Sequence, residues 1–194
     1  MFLELLNSWA VSFDLPILDW IQANMANPFL DFIMPWITML GDAGIFWMIC
    51  AAVLAFTKKY RKVGFGMAIA MALGLLVCNI YLKPTVGRIR PYDFQETLGV
   101  TINLLIEKQH DFSFPSGHTI ASFEACTVMM LGSRKLGIPA TILAILIAFS
   151  RLYLYVHYPT DVITSIVLGT IFGIIGWYLA GKLPAKKKGK FERV

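Results

Sequence analysis

Five long apolar runs constrain this chain more than any other feature of its sequence. A helix that crosses a membrane needs about 20 predominantly apolar residues, and candidate runs lie at residues 43–57, 64–82, 119–131, 138–153 and 162–180. Because backbone groups in hydrocarbon must bond within their own segment, each run is predicted to be a helix. Apolar residues make up 57% of the chain and charged residues only 15%, unlike a soluble domain. The sequence therefore predicts one all-α membrane domain over residues 1–194, a bundle of five to six transmembrane helices.

The N-terminal region is apolar but interrupted. Three prolines, five acidic residues and no basic residue occur in the first 42 positions. Apolar side chains recur at helical spacing within residues 17–25, which indicates an amphipathic helix lying in the membrane interface. We therefore interpret residues 1–27 as an interfacial segment. Residues 28–40 are interpreted as the outer part of the first span, the alternative being a short sixth span.

The basic residues are distributed asymmetrically between the two predicted faces. Four lie in the loop at residues 58–62, two are Arg134 and Lys135, and six lie in the tail at residues 182–194. The positive-inside rule predicts that this face is cytoplasmic. The net charge of +5 is then explained by topology and by attraction to anionic lipid, and nucleic-acid binding is not expected. The opposite face carries Lys83, Arg88, Arg90, Lys108 and Arg151.

Three separate stretches bring polar and charged residues to this second face. A single interfacial arginine or histidine is usually an anchor, but convergence of several ionisable groups in a membrane protein usually marks a functional site. The candidate site residues are Lys83, Arg90, Ser116, Gly117, His118, Arg151, His157 and Asp161.

The residue types in this set suit a phosphate ligand. Arginine grips phosphate oxygens in pairs and lysine adds a point charge. The helix predicted to begin near Ser116 offers free backbone N–H groups to an anion, and Gly117 permits close approach of the backbone.

Two histidines could then react with the bound phosphate. Asp161 follows His157 by one helical turn, so its carboxylate can hold one imidazole nitrogen and leave the other free as a nucleophile. His118 is suited to protonate the leaving oxygen, and the cations would stabilise the transition state. We expect no metal and no other cofactor, because three nearby cations would oppose a zinc ion.

These residues fall into three motifs, in which the chain resembles the type 2 phosphatidic acid phosphatase family of membrane lipid phosphatases. The motifs are Lys83-x6-Arg90-Pro91, Pro115-Ser116-Gly117-His118 and Ser150-Arg151-x5-His157-x3-Asp161, all within residues 83–161. The resemblance implies a helical core like that of soluble acid phosphatases and vanadium haloperoxidases. It implies that His157 is the phosphorylated nucleophile with Asp161 as its partner, and that His118 is the general acid and then the base. The implied phosphate pocket comprises Lys83, Arg90, Ser116, Gly117 and Arg151, and the implied catalysis is metal-independent.

Two further charged residues have less specific readings. Arg88 is either an extra phosphate contact or an interfacial anchor. Glu124, inside a predicted span, is interpreted as a polar contact to a neighbouring helix. The loop at residues 92–114 is expected to shape the entrance for the substrate headgroup.

The predicted function is hydrolysis of a lipid phosphate or diphosphate at the outer face of the plasma membrane. Undecaprenyl diphosphate is the favoured substrate, with phosphatidylglycerophosphate and phosphatidic acid as alternatives. A lipid phosphotransferase would use the same phosphohistidine with an acceptor other than water. An anion or lipid transporter would need charged groups deep in the spans, and Glu124 is the one such group in the predicted spans.

Overall fold

The computed structural model describes residues 2–183, with the side chain of Phe2 excepted, and these residues form a helical bundle. The basic tail beyond Leu183 lies outside the described residues. The α-helices are α1 (Phe2–Trp9), α2 (Leu15–Met25), α3 (Pro28–Met39), α4 (Ile45–Phe56), α5 (Arg61–Gly74), α6 (Lys83–Val86), α7 (Pro91–Thr97), α8 (Gly117–Gly132), α9 (Arg134–Tyr153) and α10 (Pro159–Gly181). Two π-helical segments, Ala10–Asp14 and Leu75–Leu82, connect α1 to α2 and α5 to α6.

The membrane-spanning helices agree with the predicted all-α membrane fold. The segment from α5 to α7, then α9 and α10, are each long and apolar enough to cross a membrane. Helix α8 has 16 residues and packs between them. Helices α3 and α4 meet that test only when taken together, with a bend of 41° between them. By length and composition the described residues thus contain three spanning helices, or four if this bent pair is one span, fewer than the five to six predicted. The bend lies at Ala43 and Gly44, whose φ angles of 48° and 66° interrupt the helix.

Small residues allow α5, α8 and α10 to pack closely. A Cβ at Gly176 of α10 would lie 2.4 Å from the carbonyl oxygen of Gly66 on α5. A Cβ at Gly74 of α5 would lie 2.1 Å from Oε1 of Glu124 on α8. Glycine at these positions lets the helix backbones approach. Glu124 thus lies against α5, but among the described residues its Oε1 has no hydrogen-bond partner.

The two faces of the bundle are chemically distinct. Lys59, Lys62, Arg134 and Lys135 border one hollow together with Trp177, and Nζ of Lys62 lies 3.6 Å from the centre of that indole ring. The predicted basic loops therefore share one end. Because α8 (Gly117–Gly132) rises about 1.5 Å per residue, His118 in its first turn lies about 21 Å along the helix from this end.

The N-terminal helices cover the end that carries the motif residues. Ala10, Leu15, Leu18 and Ile21 pack against the tyrosine-rich turn that follows α9. On the opposite side of this segment, Trp9 is 46% exposed and Trp20 is 59% exposed. Large aromatic side chains on an exposed face are what the predicted interfacial segment requires.

Candidate active site

One cavity of about 700 Å³ collects six of the eight predicted site residues at the start of α8, and Ser116 and Asp161 lie outside its lining. Lys83 is the first residue of α6, Arg90 lies just before α7, and Arg151 lies near the end of α9. The cavity is lined by Lys83, Arg90, Gly117, His118, Arg151 and His157, together with Asp42 and Asp111.

His157 and Asp161 form the pair that their spacing predicts. His157 lies in the turn after α9, and Asp161 lies in the first turn of α10. Nδ1 of His157 is 3.5 Å from Oδ2 of Asp161, and the backbone N–H of Tyr158 donates to the same oxygen at 3.1 Å. Ser113 also donates its hydroxyl to Oδ2 of Asp161. Nδ1 therefore faces both the carboxylate and the hydroxyl of Ser113, which lies 3.4 Å from it, while Nε2 lies 3.4 Å from Nη1 of Arg90.

The surroundings of His157 favour the neutral imidazole. The residue is 1% exposed, and burial lowers the pKa of His157 well below its ordinary value, with the charges of Arg90, Arg151 and Lys83 acting in the same direction. A neutral imidazole has a free lone pair at one nitrogen. This state is the one that a nucleophile needs.

Arg151 is a buried cation whose hydrogen bonding is incomplete. Nη1 donates to the hydroxyl of Thr38 at 2.5 Å, and the residue is 1% exposed. Among the described residues, Nε of Arg151 has no hydrogen-bond partner. An unsatisfied buried donor is costly, so the site suits an anionic ligand that would accept from this guanidinium.

Lys83 and Arg90 are both occupied by the carboxylate of Asp111. Nζ of Lys83 donates to Oδ2, and Nη2 of Arg90 donates to Oδ1 at 2.5 Å. Burial alone would raise the pKa of Asp111, but its hydrogen bonds and ion pairs with Lys83 and Arg90 lower the pKa to about 2. The side chain of Asp111 is 54% exposed. Its carboxylate therefore bridges the two cations where a phosphate is predicted to bind, and sequence reasoning assigned it no role.

His118 has a carboxylate partner that the sequence analysis did not identify. Nε2 of His118 lies 2.8 Å from Oδ1 of Asp42, which follows α3 at the bend of the first span. A Cβ at Gly41 would lie 2.6 Å from Cδ2 of His118, so glycine leaves room for the ring. A glycine followed by an acid at the end of an apolar run was the available signal.

Ser116 and Gly117 take different positions at the start of α8. Gly117 lines the cavity. Ser116 is fully buried; its N–H donates to the hydroxyl of Ser165 at 2.8 Å, and its own hydroxyl accepts from Thr119 at 3.0 Å. In this arrangement Ser116 supports the helix start from behind the cavity wall.

Arg88 lies apart from the cavity that holds the other cations. It is fully buried, and Nη1 lies 2.6 Å from Oδ1 of Asp161. Nη2 lies 2.7 Å from Oδ2 of Asp14 and 2.9 Å from the carbonyl oxygen of Leu6. This geometry differs from both sequence readings of Arg88, because two carboxylates draw the guanidinium inward, away from a phosphate and from the interface.

Comparison with known proteins identifies relatives of this arrangement. The model of the PAP2 superfamily matches residues 60–184. An undecaprenyl-diphosphatase of Sulfolobus acidocaldarius is 31% identical over 73% of this chain and 66% of its own length. The undecaprenyl-diphosphatase BcrC of Bacillus subtilis is 30% identical over 77% of this chain and 74% of its own. The crystal structure of Aquifex aeolicus LpxE superposes with a TM-score of 0.73 at 27% identity, over 85% of this chain and 94% of that one.

Proposed function

Since this chain belongs to the PAP2 superfamily, we propose that it dephosphorylates a membrane lipid through a phosphohistidine at His157. The protein is a multi-pass membrane enzyme, a lipid phosphatase of the PAP2 type. One observation carries the proposed mechanism. Nδ1 of His157 faces Asp161, while Nε2 faces Arg90 in a cavity that also contains Lys83, Arg151 and His118.

Binding begins with an exchange of anions. The substrate phosphate displaces the carboxylate of Asp111 from Lys83 and Arg90, and it accepts a hydrogen bond from the free Nε of Arg151. Backbone N–H groups at the start of α8 add to this pocket, because the first turn of a helix has unpaired donors. Three cations supply the charge stabilisation that phosphoryl transfer requires, so we expect catalysis without a metal ion.

Phosphoryl transfer then proceeds in two steps. In the first, the lone pair on Nε2 of His157 forms the N–P bond as the bond from phosphorus to the leaving oxygen breaks. That oxygen keeps the electron pair and takes a proton from His118. In the second, His118 removes a proton from water, which attacks phosphorus; the N–P bond breaks and its electron pair returns to Nε2. Asp161 holds Nδ1 throughout.

We propose undecaprenyl diphosphate as the substrate. Both relatives compared above are named for activity on that lipid. The cavity lining also extends along small residues of α4 and α5, namely Ala51, Ala55, Gly64, Ala68 and Ala72, and this apolar surface suits contact with a hydrocarbon chain. With the basic loops at 58–62 and 134–135 on the cytoplasmic side, the site faces outward from the plasma membrane.

Phosphate release from a panel of purified lipids tests this proposal. The detergent-solubilised protein is assayed with undecaprenyl diphosphate, phosphatidylglycerophosphate and phosphatidic acid, with and without EDTA and vanadate. We expect the diphosphate to give the highest kcat/KM, with full activity in EDTA and inhibition by vanadate. A faster glycerolipid would replace the proposed substrate, and restoration of a chelated enzyme by a divalent ion would contradict the metal-free mechanism. Transfer to an alcohol in preference to water would indicate a phosphotransferase.

A further inference from the structure

The N-terminal segment reaches the catalytic histidine through a chain of buried ionic contacts. Asp14 ends the π-helical segment between α1 and α2 and is fully buried. Its Oδ1 accepts from the backbone N–H of Thr160 at 2.9 Å, and its Oδ2 accepts from the hydroxyl of the same residue at 2.7 Å. Thr160 lies in the first turn of α10, where backbone N–H groups have no partner within the helix. The carboxylate of Asp14 thus caps the start of α10 at Thr160, the residue before Asp161.

Arg88 links this cap directly to the catalytic carboxylate. Its Nη2 lies 2.7 Å from Asp14 and its Nη1 lies 2.6 Å from Asp161, while the guanidinium stacks 3.7 Å from the centre of the Tyr158 ring. Arg88, Asp14 and Asp161 have no exposed side-chain surface. Oδ1 of Asp161 is therefore held by Arg88, which leaves Oδ2 to face His157. The planar fork of arginine suits this bridging contact better than a lysine would.

The charges in this chain of contacts match the needs of the reaction. Arg88 by itself would neutralise Asp161, but Asp14 adds a second carboxylate, so the buried group carries one surplus negative charge. His157 becomes positively charged when Nε2 bonds to phosphorus while Nδ1 keeps its proton. Arg90, Arg151 and Lys83 surround His157 on the cavity side. Since these cations oppose an imidazolium, the negative charge behind it stabilises the transition state.

We propose that Asp14 and Arg88 are positioning residues, which fix the His157–Asp161 pair and supply its surplus negative charge. The inference rests on the proposed function, because it assumes that His157 is the nucleophile. It also gives the N-terminal helices, which precede the matched residues 60–184, a direct part in the reaction. Neither residue touches the phosphate pocket, so both act on the chemical step and leave substrate binding unchanged.

Asp14→Asn and Arg88→Gln test this inference, with Arg88→Lys as the conservative variant. Loss of a charge-assisted hydrogen bond should slow kcat and phosphoenzyme formation by about 10- to 100-fold. KM and the inhibition constant of vanadate should remain at the unmodified values, because Lys83, Arg90 and Arg151 are intact. Arg88→Lys should recover part of kcat. The double variant Asp14→Asn/Arg88→Gln should resemble Arg88→Gln, since coupled residues are not additive.

The controls separate positioning from simple folding. Lys58→Gln and Arg134→Gln remove exposed charges at the opposite end of the bundle and should leave kcat unchanged. Equal losses of kcat and vanadate affinity, together with a lower Tm, would mean that the contacts only maintain the fold and would overturn the inference. Unchanged kcat in Asp14→Asn would also overturn it. If Arg88→Gln does not fold, Asp14→Asn and the double variant decide the question, because neither leaves two carboxylates facing each other without a cation.

One measurement tests the proposed function separately. The unmodified enzyme should form an acid-labile phosphoenzyme with an aryl phosphate, and His157→Gln should not. Labelling of His157→Gln would refute the nucleophile while the kcat values of the Asp14 and Arg88 variants stand as measured. If His157→Gln forms no phosphoenzyme, as expected, but the Arg88 and Asp14 variants keep the kcat of the unmodified enzyme, the positioning inference alone is refuted.

Discussion

His118 and Asp42 are joined across the mouth of the active site, with Nε2 of the imidazole 2.8 Å from Oδ1 of the carboxylate. The two residues are 76 positions apart in the sequence. Asp42 lies at the bend between α3 and α4, whereas His118 begins α8, so this contact connects the first span to the catalytic core. His157 and Asp161 form the other pair, and the site thus has two histidines that each face a carboxylate.

The first prediction is that the loss of activity on changing His118 or Asp42 depends on the leaving group of the substrate. A lipid alcohol leaves poorly without a proton, and general acid catalysis is worth about 10²–10⁴-fold. We therefore expect His118→Ala to lose about this factor on the lipid substrate and much less on p-nitrophenyl phosphate. Asp42→Asn should show the same pattern with a smaller loss, about tenfold on lipid.

Steady-state rates with both substrates, and trapping of the phosphoenzyme, check this prediction. Arg134→Gln is the control, since its side chain is exposed at the opposite end of the bundle. His118→Ala should still form phosphoenzyme from p-nitrophenyl phosphate. If it does not, while His157→Ala does, the two histidines have exchanged roles.

The second prediction concerns the orientation of the bundle in the membrane. A cysteine at exposed Asn103, in the loop before α8, should react with an impermeant thiol reagent in intact cells. A cysteine at exposed Lys58 should react only after the cells are opened. Cys50 is partly exposed, so a Cys50→Ser background removes it from the measurement. If the Lys58→Cys variant is labelled in intact cells and the Asn103→Cys variant is not, the topology is the reverse of the one proposed and the active site faces the cytoplasm.

Sequence reasoning predicted the parts of this protein whose signals are local. The apolar runs indicated helices, and the short separation of His157 and Asp161 in the sequence indicated their contact, although His157 lies in the turn before α10 and not on that helix. Gly117 was predicted to let the backbone approach a ligand, and it lines the cavity. Each of these arguments needs only neighbouring residues. The structure places Gly117 and His157 in one cavity, with Asp161 beside His157.

The acidic partners could not be predicted in this way. Asp14 and Arg88 are 74 positions apart, and Asp111 lies 28 positions from Lys83. Such pairs form only after the helices pack, and nothing in the spacing of isolated acids distinguishes a buried partner from a solvated side chain. Arg88 was therefore interpreted from its two-residue distance to Arg90, although the N-terminal helices supply the carboxylate that holds it.

The third prediction concerns the pH dependence of the nucleophile. Burial and the charges of Arg90, Arg151 and Lys83 lower the pKa of His157 below its ordinary value of 6.5. A histidine whose pKa is lowered stays neutral, and therefore nucleophilic, at pH values below 6.5 at which an ordinary histidine is already protonated. We expect the acid limb of kcat/KM for p-nitrophenyl phosphate to lie below pH 6.5, the ordinary value for histidine, after correction for ionisation of the substrate.

Removal of the charge of Arg151 provides the control for the acid limb of the pH profile. Arg151→Gln should lower activity throughout, and it should also move the acid limb of the remaining activity to higher pH, because the pKa of His157 is no longer depressed by that charge. A limb near 6.5 in the unmodified enzyme, unmoved in Arg151→Gln, would contradict the electrostatic account of the site.

The last prediction concerns the competition between Asp111 and the substrate. The carboxylate of Asp111 pairs with Lys83 and Arg90, and its pKa of about 2 keeps it ionised throughout the working range of pH. A phosphate must replace it, so Asp111→Asn should lower KM and tighten inhibition by vanadate several-fold.

Arg90 should keep its position in this variant, because Nε donates to the backbone oxygen of Asp111 at 2.9 Å and Nη1 donates to that of Val156 at 2.7 Å. Neither contact depends on the carboxylate. KM and the vanadate inhibition constant are measured beside Arg134→Gln, which removes an exposed charge at the opposite end of the bundle. A rise of both constants in Asp111→Asn would show instead that the carboxylate holds Lys83 and Arg90 ready for the phosphate.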